Sequence, residues 1–145
     1  MRIITDEIIK EFSETGRRLG QRNLIAGSAG NMTTRLPGGG GIVITTRGSD
    51  LARLGPGDLV AMDSGGNVAE GSGAPSSELA MHRIVYEARP DIGAIVHTHS
   101  IYATVVAALG EHIPAFIDEL TFSLGGEIET SAYARPGSEE LGRNA

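Results

Sequence analysis

Two stretches of the sequence share one layout, with apolar and β-branched residues on both sides of a glycine-rich break. They are MTTRLPGGGGIVITT, residues 32–46, and LVAMDSGGNVAEG, residues 59–71. A break that short folds its flanks back side by side, so each stretch predicts an antiparallel hairpin, the second turning at Ser64, Gly65 and Gly66. Helical patterns surround them. Thr5 is placed to cap a helix that carries Asp6 and Glu7 in its first turn and Ile8, Ile9, Phe12 and Leu19 along one face. Ser76 or Ser77 opens a second helix to about Arg89, where Pro90 stops it. Leu79, Ile84 and Val85, with Met81 and Tyr86 nearby, can dock it on a sheet. IGAIVHTH, residues 92–99, reads as a buried strand, and SIYATVVAAL as a helix capped by Ser100. Residues 116–124 form a strand or a short helix, and Ser138 caps a final helix. Hairpins flanked by helices predict one α/β domain with a largely antiparallel central sheet between helical layers.

Length and composition agree with a single domain and exclude several functions. A chain of 145 residues can bury a real core, but with three Phe, three Tyr and no Trp that core must come from Ile, Val, Leu, Met and Ala. A net charge of −6 without any basic run argues against nucleic acid. The absence of cysteine removes disulfides and thiolate metal sites. No apolar stretch approaches membrane-spanning length, and the opening MRIITDEIIKEF lacks the apolar middle of a signal peptide, so a soluble cytoplasmic protein is expected.

Chemistry concentrates in a few places. AIVHTHS, residues 94–100, holds two of the four histidines one residue apart. On an extended chain His97 and His99 point the same way, which favours a metal over a merely packed pair. His112 is a weak third candidate and Glu78 a better one. PSSELAMH, residues 75–82, places Ser76, Ser77 and Glu78 at a helix start, where exposed N–H groups and hydroxyls could hold an anion, although a plain helix cap explains the same residues. His82 is expected to be structural. The loops GSAGN, residues 27–31, and TTRGS, residues 45–49, could present N–H groups, the Asn31 amide and the Arg47 guanidinium to an anion. Neither loop fits a nucleotide-binding fingerprint.

Taken in order, GNMTTR, TTRGS, PSSELAMHRIVYEARPD, AIVHTHS and AYARPGSEEL resemble the class II aldolase/adducin-head family, the fuculose-phosphate aldolase type. The resemblance runs from about Asn23 onward. It implies an α/β sandwich around an antiparallel-rich sheet, assembled as a cyclic homotetramer. It also implies a metal-dependent lyase that cleaves a small sugar phosphate, such as a ketose 1-phosphate, by retro-aldol chemistry. By resemblance His97 and His99 are zinc ligands, with manganese a possible substitute. Glu78 matches the acid/base carboxylate that can also touch the metal, and Asn31, Gly48, Ser76 and Ser77 match positions that hold the phosphate. An epimerase or dehydratase of the same family, or a non-catalytic adducin-like head, are the alternatives.

Two departures qualify the resemblance. Arg47 stands where the family often has Ser or Thr, and its guanidinium could bind phosphate bidentately or favour a carboxylate-bearing substrate. The family's third zinc histidine and a C-terminal tyrosine come from later segments than Ala145. The domain over residues 1–145 is therefore expected to lack the C-terminal part. Glu119, in IDEL, is an additional candidate for the site.

Overall fold

The computed structural model describes residues 2–145; Met1, the first residue of the expected domain, lies outside the described residues. Both hairpins form. β1 (Asn31–Arg35) pairs with β2 (Ile42–Thr45) across a 3-10 turn at Pro37–Gly39, and β3 (Leu59–Met62) pairs with β4 (Val68–Glu70). β2 and β3 join the hairpins, and β5 (Ala94–His97) adds to the outer side of β1. The sheet order is β4-β3-β2-β1-β5, and every pairing in it is antiparallel.

Helices cover both faces. The Thr5 hydroxyl caps α1 (Asp6–Gln21) by accepting from the Ile8 N–H at 3.3 Å. Phe12 of α1 is buried with Met32, Val43, Leu51, Leu59 and Ala61, and Ile8, Ile9 and Leu19 pack against that cluster. A Cβ at Gly16 would stand 1.8 Å from the Leu51 carbonyl oxygen, so only glycine lets α1 approach this closely. On the opposite face Ile42, Ile44, Val60 and Met62 meet Tyr86 and Leu79 of α2 (Leu79–Ala88). Alternate residues of β2 and β3 thus feed two cores, which gives three layers. α5 (Glu139–Asn144), capped by Ser138, packs on the outer side of α2.

Three local expectations change, and one left open is decided. α2 starts at Leu79, after Ser76 and Ser77, because pairing with the end of β2 keeps Ser76 extended. β5 is half-exposed rather than buried, since Ala94 and Val96 form an uncovered face while Ile95 and His97 on the other face are half-buried. Ser100 precedes α3 (Ile101–Ala108) without a side-chain cap bond. Of the two options for residues 116–124, the helix is realised as α4 (Asp118–Leu124). Among the described residues no helix is long and apolar enough to cross a membrane.

Candidate active site

The pairing of β1 with β5 starts the site. Asn31 stands opposite His97 in register, with its Nδ2 3.3 Å from His97 Nδ1. Gly30, at φ 89°, turns the chain into β1 against β5, and a Cβ there would lie 2.6 Å from the His97 carbonyl oxygen. β5 ends at His97, and the His99 N–H donates to the Leu24 carbonyl at 3.0 Å instead of to a strand neighbour. The two imidazoles nevertheless stay on one side and stack, with ring centroids 5.0 Å apart and planes 29° from parallel.

Glu78 reaches the same place from the other direction. Thr46 bridges Pro75, the Ser76 N–H donates to the Thr45 carbonyl at 3.0 Å, and the Arg47 N–H donates to the Ala74 carbonyl at 2.9 Å. Ser76 Oγ then accepts from the Glu78 N–H at 3.3 Å, which fixes Glu78 as the residue just before α2. Glu78 is 8% exposed, and its Oε2 is buried with no hydrogen-bond partner. A carboxylate oxygen left in that condition is destabilising by itself and marks a place where a ligand gains most. Glu78, His97 and His99 line one cleft of about 680 Å³, walled by Thr104 of α3 and by Tyr133 and Ala134. Burial first, then the neighbouring His99, lowers the His97 pKa, and the Glu78 carboxylate opposes both. The ring is thereby kept neutral, the form that binds metals.

A buried polar chain lies behind His97. His82 is fully buried, with Nε2 against Asn31 Oδ1 and Nδ1 2.7 Å from Thr33 Oγ1. Thr33 Oγ1 is also 2.9 Å from the Tyr86 hydroxyl. Burial, and then the neighbouring His97, pushes the His82 pKa down from 6.5 to about 4. Arg35 holds Tyr86 in place: its guanidinium sits 4.3 Å above the ring centroid and donates to the Tyr86 carbonyl at 2.6 Å. Sequence reasoning gave His82 a structural place but missed Thr33 and Tyr86. The i, i+4 spacing of His82 and Tyr86 on α2 could have paired them. Nothing local points to Thr33, which lies 49 residues from His82 in the chain.

Among the described residues no group of three or more His, Cys, Asp or Glu side chains closes around a point that could hold a metal ion. The residues present fit a zinc-type cation as an open set: two stacked imidazoles and an unpartnered carboxylate oxygen on one cleft are its preferred donor types.

Residues 10–145 match the model of the Class II Aldolase and Adducin N-terminal domain. The chain belongs to this family. It is 41% identical over 132 residues to a 5-methylthioribulose-1-phosphate/5-deoxyribulose-1-phosphate aldolase of Rhodospirillum rubrum, covering 91% of this chain and 58% of that protein. It is 32% identical to the L-fuculose phosphate aldolase of Escherichia coli, covering 94% of this chain and 62% of the relative. A solved L-fuculose 1-phosphate aldolase superposes with a TM-score of 0.87 at 37% identity, over 97% of this chain and 66% of that one. The chain thus spans only part of the length of its relatives.

The other residues singled out in the sequence are absent from the lining of the cleft. Arg47 and Gly48 are exposed in the loop after β2, tied to the Ser76 segment through Thr45 and Thr46. Ser76 is buried beside Glu78, and Ser77 is exposed. The Asn31 amide faces two imidazoles instead of the loop surface. His112 is exposed and pairs with Glu127 at 3.5 Å, and Glu119 is exposed on α4; both stand outside the lining.

Proposed function

We propose that this cleft carries out metal-assisted retro-aldol cleavage of a small ketose 1-phosphate. The observation that carries the reading is the buried, unpartnered Glu78 carboxylate opening on the same cleft as the stacked His97 and His99. A zinc or manganese ion held there by His97 and His99, with Glu78 beside it, would supply Lewis-acid stabilisation of negative charge developing on the substrate carbonyl oxygen. Glu78 holds and returns the proton on the carbon next to the carbonyl, because it is the buried carboxylate that lines the cleft with an oxygen left unpartnered. Ser76, Ser77 and Gly48 take the phosphate where two loops meet ahead of α2, and the Arg47 guanidinium stands close enough in the chain to add charge. A neutral His97 leaves cation binding unopposed by its own charge near neutral pH.

The relatives, named as aldolases of three different sugar phosphates, support the reaction class. A cyclic homotetramer in the cytoplasm belongs to the same reading, and the exposed apolar residues of α3 and α4 suit such an assembly. The test is to incubate purified protein with ketose 1-phosphates and follow triose phosphate and aldehyde release, with metal content measured in parallel. Release that requires metal and is lost in His97→Ala supports the reading. Isomerised or dehydrated product without cleavage assigns an epimerase or dehydratase instead. A folded protein that takes up no metal and turns over nothing points to a structural head.

A further inference from the structure

We propose that the buried chain Tyr86–Thr33–His82–Asn31 selects the tautomer of His97 and so decides whether that ring can take a divalent cation; the proposal rests on the metal-assisted reading above. A neutral imidazole carries one N–H and one lone pair, so a ring bonded at both nitrogens passes hydrogen-bond direction from one side to the other. His82 is such a ring, fully buried between Thr33 and Asn31. As the Asn31 amide is placed, its Nδ2 donates to His97 Nδ1, and a neutral His97 then carries its proton on Nε2. A cation bound at Nε2 needs a lone pair there, with the proton on Nδ1 and a partner to receive it.

Turning the Asn31 amide over keeps both contacts and reverses the direction of the whole chain. His97 Nδ1–H then donates to Asn31 Oδ1, and Asn31 Nδ2–H donates to His82 Nε2. His82 Nδ1–H donates to Thr33 Oγ1, and the Thr33 hydroxyl donates to the Tyr86 oxygen. The Tyr86 proton goes to the Gly93 carbonyl at 3.5 Å, an acceptor only, so every donor in this direction has a partner. Each ring keeps one proton, and only the nitrogen that carries it changes, by exchange with solvent. The hydroxyls of Thr33 and Tyr86 are what let the far end follow. Asn31, His82, Thr33 and Tyr86 are positioning residues in this scheme.

The test reads the ring nitrogens directly, by NMR of protein labelled with nitrogen-15 in its four histidines, without metal and with Zn²⁺. A zinc titration against a competing chelator accompanies it, after a thermal melt has shown each variant folded. The expected wild-type result is Nε2–H on metal-free His97 and Nδ1–H on the zinc-loaded ring. Thr33→Val keeps the shape but removes the hydroxyl; it should weaken zinc binding about tenfold, and Thr33→Ser should restore it. Tyr86→Phe should give a smaller loss in the same direction, and it carries the test if Thr33→Val does not fold. Zinc affinity and tautomer both unchanged in the folded variants overturn the proposal, as does a folded wild type that binds no zinc. Zinc binding that follows Thr33 in a protein that cleaves no ketose phosphate overturns the reaction assigned above and leaves this proposal standing.

Discussion

The strands β2 and β3 and the segment containing α3 and α4 have similar apolar residues and treat them oppositely. Val43, Ile44 and Val60 have no exposed surface, whereas Tyr102 is 84% and Phe122 86% exposed. Position explains the difference. β2 and β3 run through the middle of the sheet with α1 on one face and α2 on the other, so both rows of side chains find a layer. α3 and α4 follow the edge strand β5, and none of their side chains is buried among the described residues. The candidate site lies on the seam. Asn31 and Glu78 come from the well-packed side, and the open side supplies the wall around Thr104 and Tyr133. A well-packed half that fixes the reactive groups beside an exposed half that shapes the cleft is a common way to place chemistry.

Substitutions can break or sharpen this contrast. The largest effect is expected at the seam: Glu78→Gln should retain fold and metal uptake while lowering turnover by roughly 10²–10⁴-fold, and unchanged turnover would remove its acid/base role. Within the packed half, Leu51→Ala should destabilise by about 3 kcal/mol in denaturant melts, because a fully buried side chain leaves a cavity against α1. A much smaller loss would mean that this core is not tightly filled.

Acid tests the same half by another route. Unfolded His82 takes up a proton below about pH 6.5, whereas the folded ring does so only near pH 4. Its contribution is therefore complete above that window and falls as pH drops through it, by about 3 kcal/mol in all. Replacing His82 by Asn should flatten this part of a pH–stability profile. At the rim, Ser77→Ala should weaken phosphorylated substrates about tenfold relative to unphosphorylated ones, as read from KM; equal effects would take the phosphate away from this helix start. The smallest change belongs to the open half. Tyr102→Ser should alter the stability of a single subunit by no more than about 0.5 kcal/mol, and a larger loss would show that the α3 face is covered in the assembly proposed above.

Much of this was legible before any coordinates. The glycine turns announced both hairpins, Thr5 and Ser138 announced their helices, and the spacing of His97 and His99 announced rings on one side. The misses share one cause. β5 was expected to be buried because IGAIVHTH is apolar, but burial depends on what lies over a strand, and here the face with Ala94 and Val96 is uncovered. Ser76 or Ser77 was expected to begin α2, but a distant strand end pairs with that segment and delays the helix to Leu79.

By itself the sequence determined the elements and the kinds of chemistry available, because turns, caps and alternation are settled by residues a few positions apart. Only the tertiary structure decided which groups meet. Asn31 and His97 are 66 residues apart and Thr33 and His82 are 49 apart, yet sheet register and helix packing bring them within hydrogen-bonding distance. The same packing buries Glu78 with one oxygen unpartnered at the edge of the cleft. No local pattern encodes such meetings, since they follow from how the layers close on one another.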